Sequence, residues 1–299
     1  MSKNLQAAAI MALGMTLISC NDAITKYMSQ SLGIGQLLFF RGLVAMIILI
    51  TIIKLIGQPV FTPLFFDRWN LIRGGCEVST TLAFVTALSL LPLAVATTLI
   101  FTFPILLTFL AAMVLRETVG IQRWGAVLVG FIGVLFITRP GSQSWSWVFL
   151  LPLGAAFMSA LRDLATRHIN ANLPSLHIAL MTFSMVTIVG LAASPFGWQD
   201  NDTVDFAWMA LSASLLCGGF LCYIAAIRLG ELSFVAPFNY TSIVVAMVLG
   251  FVIWRDVPNA GTLVGASLIV VSGIFILYRE QRTARDLLRP ALQPDPTAE

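Results

Sequence analysis

Three charged residues, Asp22, Arg41 and Glu77, lie deep inside long apolar runs of a chain in which charge is scarce. An ionisable side chain within a membrane span is costly, so it normally faces a partner or a watery cavity and marks a functional site by default. Asp22 and Arg41 fall at similar depth on consecutive runs. They suit a structural ion pair that locks two helices, or a gate that meets a carboxylate on a bound molecule. Glu77 follows Arg73 by four residues, which puts both on one helix face. An intrahelical pair is one reading; a cavity-facing carboxylate that takes up and releases a proton is the other. Arg162 and Asp163, near the end of a later run, read as interfacial, and His168 and His177 as lying at or near the inner surface.

Two prolines, Pro104 and Pro237, interrupt apolar runs and are the hinge candidates, because proline frees a backbone carbonyl and kinks a helix. Phe101, Thr102 and Phe103 adjoin the first, and Phe238, Asn239 and Tyr240 adjoin the second. An aromatic-lined cavity with a few hydrogen-bonding groups suits an aromatic or largely apolar small molecule. The competing reading is that many of these rings face lipid or neighbouring helices.

The elements that must position these groups are membrane helices. With 299 residues, 58% of them hydrophobic, the chain has far more apolar bulk than one soluble core can use. A span needs about 20 residues at a rise of about 1.5 Å each. On that ruler the sequence predicts ten, over 5–28, 34–56, 70–91, 93–115, 121–138, 147–167, 174–195, 206–229, 232–253 and 261–278. The charge-free stretch 78–115 is too long for one span, so Leu91-Pro92 is read as the corner of a hairpin. The polar, proline-containing tail is expected to fray.

Residues 84–139 repeat at 223–278 with an offset of 139 or 140: Arg116 and Glu117 meet Arg255 and Asp256, and Gly125 and Gly133 meet Gly265 and Gly273. The chain therefore divides into a first repeat at 1–139, a second at 140–279 and a tail at 280–299. Glycines on the fifth and tenth spans give small-residue faces for close packing. If the N-terminus is inside, the inner side receives most of the Lys and Arg and the outer side only Lys26, Arg139 and Arg255, so both termini are expected in the cytoplasm. Five spans per repeat is odd, which inverts the second repeat relative to the first, a ground plan of secondary transporters.

The runs Leu90-Leu91-Pro92-Leu93-Ala94 and Leu229-Gly230-Glu231-Leu232-Ser233, with Arg116-Glu117-Thr118 and the paired glycines, resemble the drug/metabolite transporter superfamily, specifically bacterial permeases of two EamA repeats. Asn21 to Tyr27 and Leu38-Phe39-Phe40-Arg41-Gly42 look like its amino-acid and metabolite exporters, including YddG-type aromatic amino-acid exporters; uptake carriers proposed for S-adenosylmethionine share such stretches. The resemblance implies an all-α, multi-pass protein of the bacterial inner membrane that moves a small-molecule substrate by alternating access, most plausibly exporting aromatic or apolar amino acids. The alternative is uptake or antiport of a larger metabolite or a cationic drug. Proton coupling would rest on Glu77.

Other classes lack their motifs. No Walker A pattern, GxGxxG or HExxH is present, and no reactive cluster for an intramembrane enzyme assembles at one depth. Cys20, Cys76, Cys217 and Cys222 sit in apolar runs without metal-ligand spacing and read as small packed hydrophobes. No basic patch suggests nucleic acid, and no cofactor or metal is expected.

Overall fold

The chain is described from a computed structural model, over residues 3–114, 120–142, 145–170, 172–200 and 202–288, excepting the side chains of 196, 232, 233 and 280–288. Arg116, Glu117 and Thr118, and the last eleven residues of the tail, lie outside the described residues. Twelve α-helices follow one another: α1 Lys3–Met28, α2 Ile34–Leu55, α3 Arg68–Leu90, α4 Leu93–Ile100, α5 Phe103–Val114, α6 Ile121–Thr138, α7 Leu150–Thr166, α8 Ser175–Ala193, α9 Thr203–Leu229, α10 Leu232–Val235, α11 Thr241–Trp254 and α12 Ala260–Leu288. Among the described residues there is no strand.

Local chemistry sets the boundaries. Asp67 caps α3 by accepting from the Trp69 amide at 3.0 Å, and Asp202 with Asp205 forms a capping box at the start of α9. At the expected corner Leu91 is extended and Pro92 begins α4. The expected fourth span is two helices, because Pro104 has no N–H for the Ile100 carbonyl and the chain turns at Phe101 and Thr102. The ninth breaks likewise: a 3-10 turn, Ala236–Tyr240, carries Pro237 between α10 and α11. Helix α12 runs to Leu288 instead of stopping near 278, since Glu280 to Leu288 is built of good helix formers, and the expected fraying of this part of the tail is corrected.

Nine segments among the described residues are long and apolar enough to cross a membrane. The expected third span is not one of them. Helix α3 has the length, 23 residues, but carries Arg68, Arg73, Glu77 and several hydroxyls.

In chain order α1, α2, α3, α4–α5 and α6 correspond to α7, α8, α9, α10–α11 and α12. The packing obeys that correspondence. Helix α1 lies along α9 and its counterpart α7 lies along α3, while α2 packs on α8, α6 on α12 and α4 on α11. The closest neighbours thus come from opposite repeats, and the repeats interleave. At the α6–α12 crossing Gly133 and Gly265 face each other; a Cβ on Gly133 would stand 2.8 Å from the Gly265 carbonyl oxygen, so this approach requires glycine. Gly273, the sequence counterpart of Gly133, serves a different end by leaving room for the Tyr240 hydroxyl.

Candidate functional site

A cavity of about 340 Å³ lies among α1, α2, α3, α4, α5, α7, α8, α9 and α11. Along α3 its wall runs from Arg73 to Val85, twelve helical steps, or about 18 Å at the helical rise. Charged side chains line it in two groups, Arg73, Glu77 and Arg162 in one and Asp22 and Arg41 in the other, and Phe84, Phe101, Phe103, Phe183 and Phe220 share the wall with hydroxyls such as Thr80 and Ser159.

One end is built by α3, α7 and α8. Glu77 Oε2 accepts from Arg162 Nη1 at 2.8 Å, and the same guanidinium reaches Asp163 Oδ1 at 2.8 Å. Arg73 does not close the intrahelical pair with Glu77; its Nη1 donates to Thr182 Oγ1 at 2.6 Å. The reading of Arg162 as interfacial is corrected, because α7 packs lengthwise on α3 and turns that side chain onto Glu77 and the cavity. Just beyond, the His168 ring stacks on Trp69 at 4.4 Å and stays exposed, as a surface histidine would, whereas His177 is buried and places Nε2 2.8 Å from the Pro59 carbonyl.

The other end is built by α1, α2 and α9 with hydroxyl and amide contacts. Asn21 Nδ2 donates to Asp22 Oδ1 at 3.0 Å, and Ser212 Oγ donates to Asn21 Oδ1 at 2.7 Å. Arg41, 7% exposed, donates to Thr25 Oγ1 at 3.1 Å. Arg41 and Asp22 influence each other electrostatically, yet they form no ion pair within 4.0 Å among the described residues. Past Asp22 this end is tied shut by Lys26. Its Nζ, buried, donates to the Leu88 and Leu91 carbonyls at 2.9 and 2.6 Å, completing the C-terminus of α3, and stands 5.3 Å from the Trp254 ring.

Of the residues singled out in the sequence, Asp22, Arg41, Glu77, Phe101 and Phe103 line the cavity. The others stand behind the wall. Thr102 bonds its own helix through the Leu99 carbonyl, Phe238 is 36% exposed and packs on Phe234, and Tyr240 backs Phe101 at 5.5 Å between ring centres. Asn239 does not reach the cavity either. The 3-10 turn after Pro237 rotates these side chains off the face that an unbroken helix would present. Residues not expected from the sequence, among them Phe84, Thr97, Ser159, Phe183, Phe220 and Ser242, also line it. Single aromatics and hydroxyls in apolar runs carry no periodic signal of their own.

Residues 5–139 and 145–278 each match the EamA-like transporter family. The chain belongs to that family. Its members are part of the drug/metabolite transporter superfamily, and this one is a multi-pass membrane transporter, not an enzyme. Among relatives, it is 23% identical over 274 residues to the S-adenosylmethionine uptake transporter of Rickettsia prowazekii (strain Madrid E), covering 91% of this chain and 92% of that protein. It is 25% identical to the riboflavin transporter of Vibrio cholerae, covering 94% and 96%. It is 26% identical to the pseudopaline exporter CntI of Pseudomonas aeruginosa PAO1, covering 86% and 90%. One solved crystal structure shares the fold with a TM-score of 0.62 at 16% identity, covering 93% of this chain and 98% of that one.

Proposed function

We propose that this EamA-family chain is a secondary transporter of the inner membrane with ten spans in two inverted repeats, and that its cavity carries an elongated polar metabolite. Helix α3 supplies the tenth span: Arg73 and Glu77 turn to the cavity, so their charge is not presented to lipid. Five spans per repeat then invert the second repeat and leave both termini in the cytoplasm, the side favoured by the basic residues.

The observation that carries the substrate reading is the shape of the cavity. Charged groups stand toward both ends of a passage about 18 Å long, Arg73, Glu77 and Arg162 at one and Asp22 and Arg41 at the other, with aromatic rings and hydroxyls along its wall. The ammonium and carboxylate of a free amino acid share one carbon and cannot reach both ends. A molecule with a flat apolar middle and polar termini can, and the relatives named for S-adenosylmethionine, riboflavin and pseudopaline support that reading. Export of an aromatic amino acid is the second reading, favoured by the rings alone. The breaks at Pro104 and Pro237 are the points about which the passage would reopen. Proton coupling, expected at Glu77, is assigned instead to Asp22: Glu77 is ion-paired with Arg162 at 2.8 Å, whereas among the described residues Asp22 forms no such pair and accepts from the Asn21 amide.

The test is flux in proteoliposomes of the purified chain with labelled S-adenosylmethionine, riboflavin and tryptophan, under no gradient, a proton gradient and a membrane potential. Saturable flux of either long molecule supports the proposal. Saturable flux of tryptophan alone replaces it with amino-acid export, and no saturable flux of any probe removes both substrate readings. Loss of the proton-gradient response in Asp22→Asn but not in Glu77→Gln supports the coupling assignment; the reverse pattern returns it to Glu77.

A further inference from the structure

Three guanidinium groups line the cavity, and they are not equivalent. Arg162 is committed to two carboxylates, Glu77 and Asp163, each at 2.8 Å. Arg41 is buried, held by Thr25, and screened by the adjacent Asp22. Arg73 differs from both in holding a buried donor without a partner among the described residues. Its Nη1 meets Thr182, but its Nε is buried without an acceptor, and no carboxylate lies within 4.0 Å of it among the described residues. Thr182 accepts from Arg73 while giving its own proton to the Ile178 carbonyl at 2.9 Å, so it orients the guanidinium and offers no donor of its own.

We infer that Arg73 is the recognition point for a carboxylate on the substrate, and that it fixes which way round the substrate lies, acid group at the α3–α7 end and aromatic body toward Asp22. The inference rests on reading the cavity as the substrate path. A guanidinium presents N–H donors in a planar fork that matches a carboxylate, and a buried donor without a partner in a cavity wall is one that a ligand completes. The surrounding charge selects the class. Arg73 and Arg162 against Glu77 and Asp163 sum to zero, so the end has directional donors without a strong net positive field. A carboxylate monoanion suits it, whereas a doubly charged phosphate would be repelled by Glu77 and Asp163.

The experiment is binding to the purified full-length chain in detergent, followed by calorimetric titration with pairs of probes that differ only in the carboxylate: S-adenosylmethionine against its decarboxylated form, and tryptophan against tryptamine. The parent should prefer the carboxylated member of a pair by tenfold or more. Arg73→Gln should bring that preference within twofold, while Arg73→Lys, which keeps the charge and loses the fork, should keep part of it. A full preference surviving in Arg73→Gln, or its absence in the parent, overturns the inference and leaves the substrate path standing. No binding by any of the four probes overturns the substrate reading and, with it, this inference.

Discussion

The α3–α7 pair and the α1–α9 pair occupy equivalent places in the two-repeat plan and are packed alike, yet they hold different chemistry. Between α3 and α7 the contact is ionic, Glu77 with Arg162, and the two side chains keep 23% of their surface. Between α1 and α9 it is neutral: Asn21, 1% exposed, bonds Ser212, and Gly14 meets the backbone of Gly219. Duplication preserved the backbone crossings, which depend on small residues and apolar faces. The cavity-lining positions diverged, to an ionic contact between α3 and α7 and a neutral one between α1 and α9. The fold is nearly symmetric and the site is not.

The sharpest way to break this comparison is to remove Arg162. Arg162→Ala leaves Glu77 and Asp163 without their contact cation, and stranding one partner of a largely buried pair costs about 3–5 kcal/mol. Denaturant or thermal unfolding in detergent should show that loss, and the double variant Arg162→Met with Glu77→Met should recover a large part of it. Equal stability of Arg162→Ala and the parent would mean that the ionic end is held by packing alone. At the other end Lys26→Met strips the donor from two helix-terminal carbonyls, which should cost about 1–3 kcal/mol. It should also raise the labelling rate of a cysteine placed at Asn21, since Lys26 ties α1 to the α3–α4 corner. Unchanged labelling would show that the seal lies elsewhere. The neutral contact should matter less. A double-mutant cycle of Asn21→Ala and Ser212→Ala should return a coupling of about 1 kcal/mol, well below the Glu77–Arg162 cycle.

Much of the scaffold was legible in the residues. The hairpin corner at Leu91-Pro92, the limits of α6 and the glycine faces of α6 and α12 follow from local rules of proline and small-residue packing, which act within a few positions of the chain. The site was legible only where charge stood out against apolar surroundings, at Asp22, Arg41 and Glu77. Arg162 was misplaced because nearness to a helix end was equated with nearness to the membrane surface; its orientation depends on how α7 lies against α3, with three helices between them in sequence. Phe238 and Tyr240 were misplaced for a related reason. The turn after Pro237 changes the angular position of every side chain that follows, and no periodicity survives a break.

That last point yields the smallest expected effect and a second comparison between equivalent places. Phe101, at the first proline break, faces the cavity, while Tyr240, at the second, stands behind it with its hydroxyl buried and unbonded. Phe101→Leu should lower flux, because it removes a ring from the wall. Tyr240→Phe should leave flux unchanged and shift stability by less than about 1 kcal/mol, in the stabilising direction, since it deletes a polar group that has no partner to lose. A large loss of flux in Tyr240→Phe with folding intact would place this hydroxyl on the substrate path. The two breaks would then be alike in chemistry as well as in position, and the asymmetry described for the repeats would be confined to the ends of the cavity.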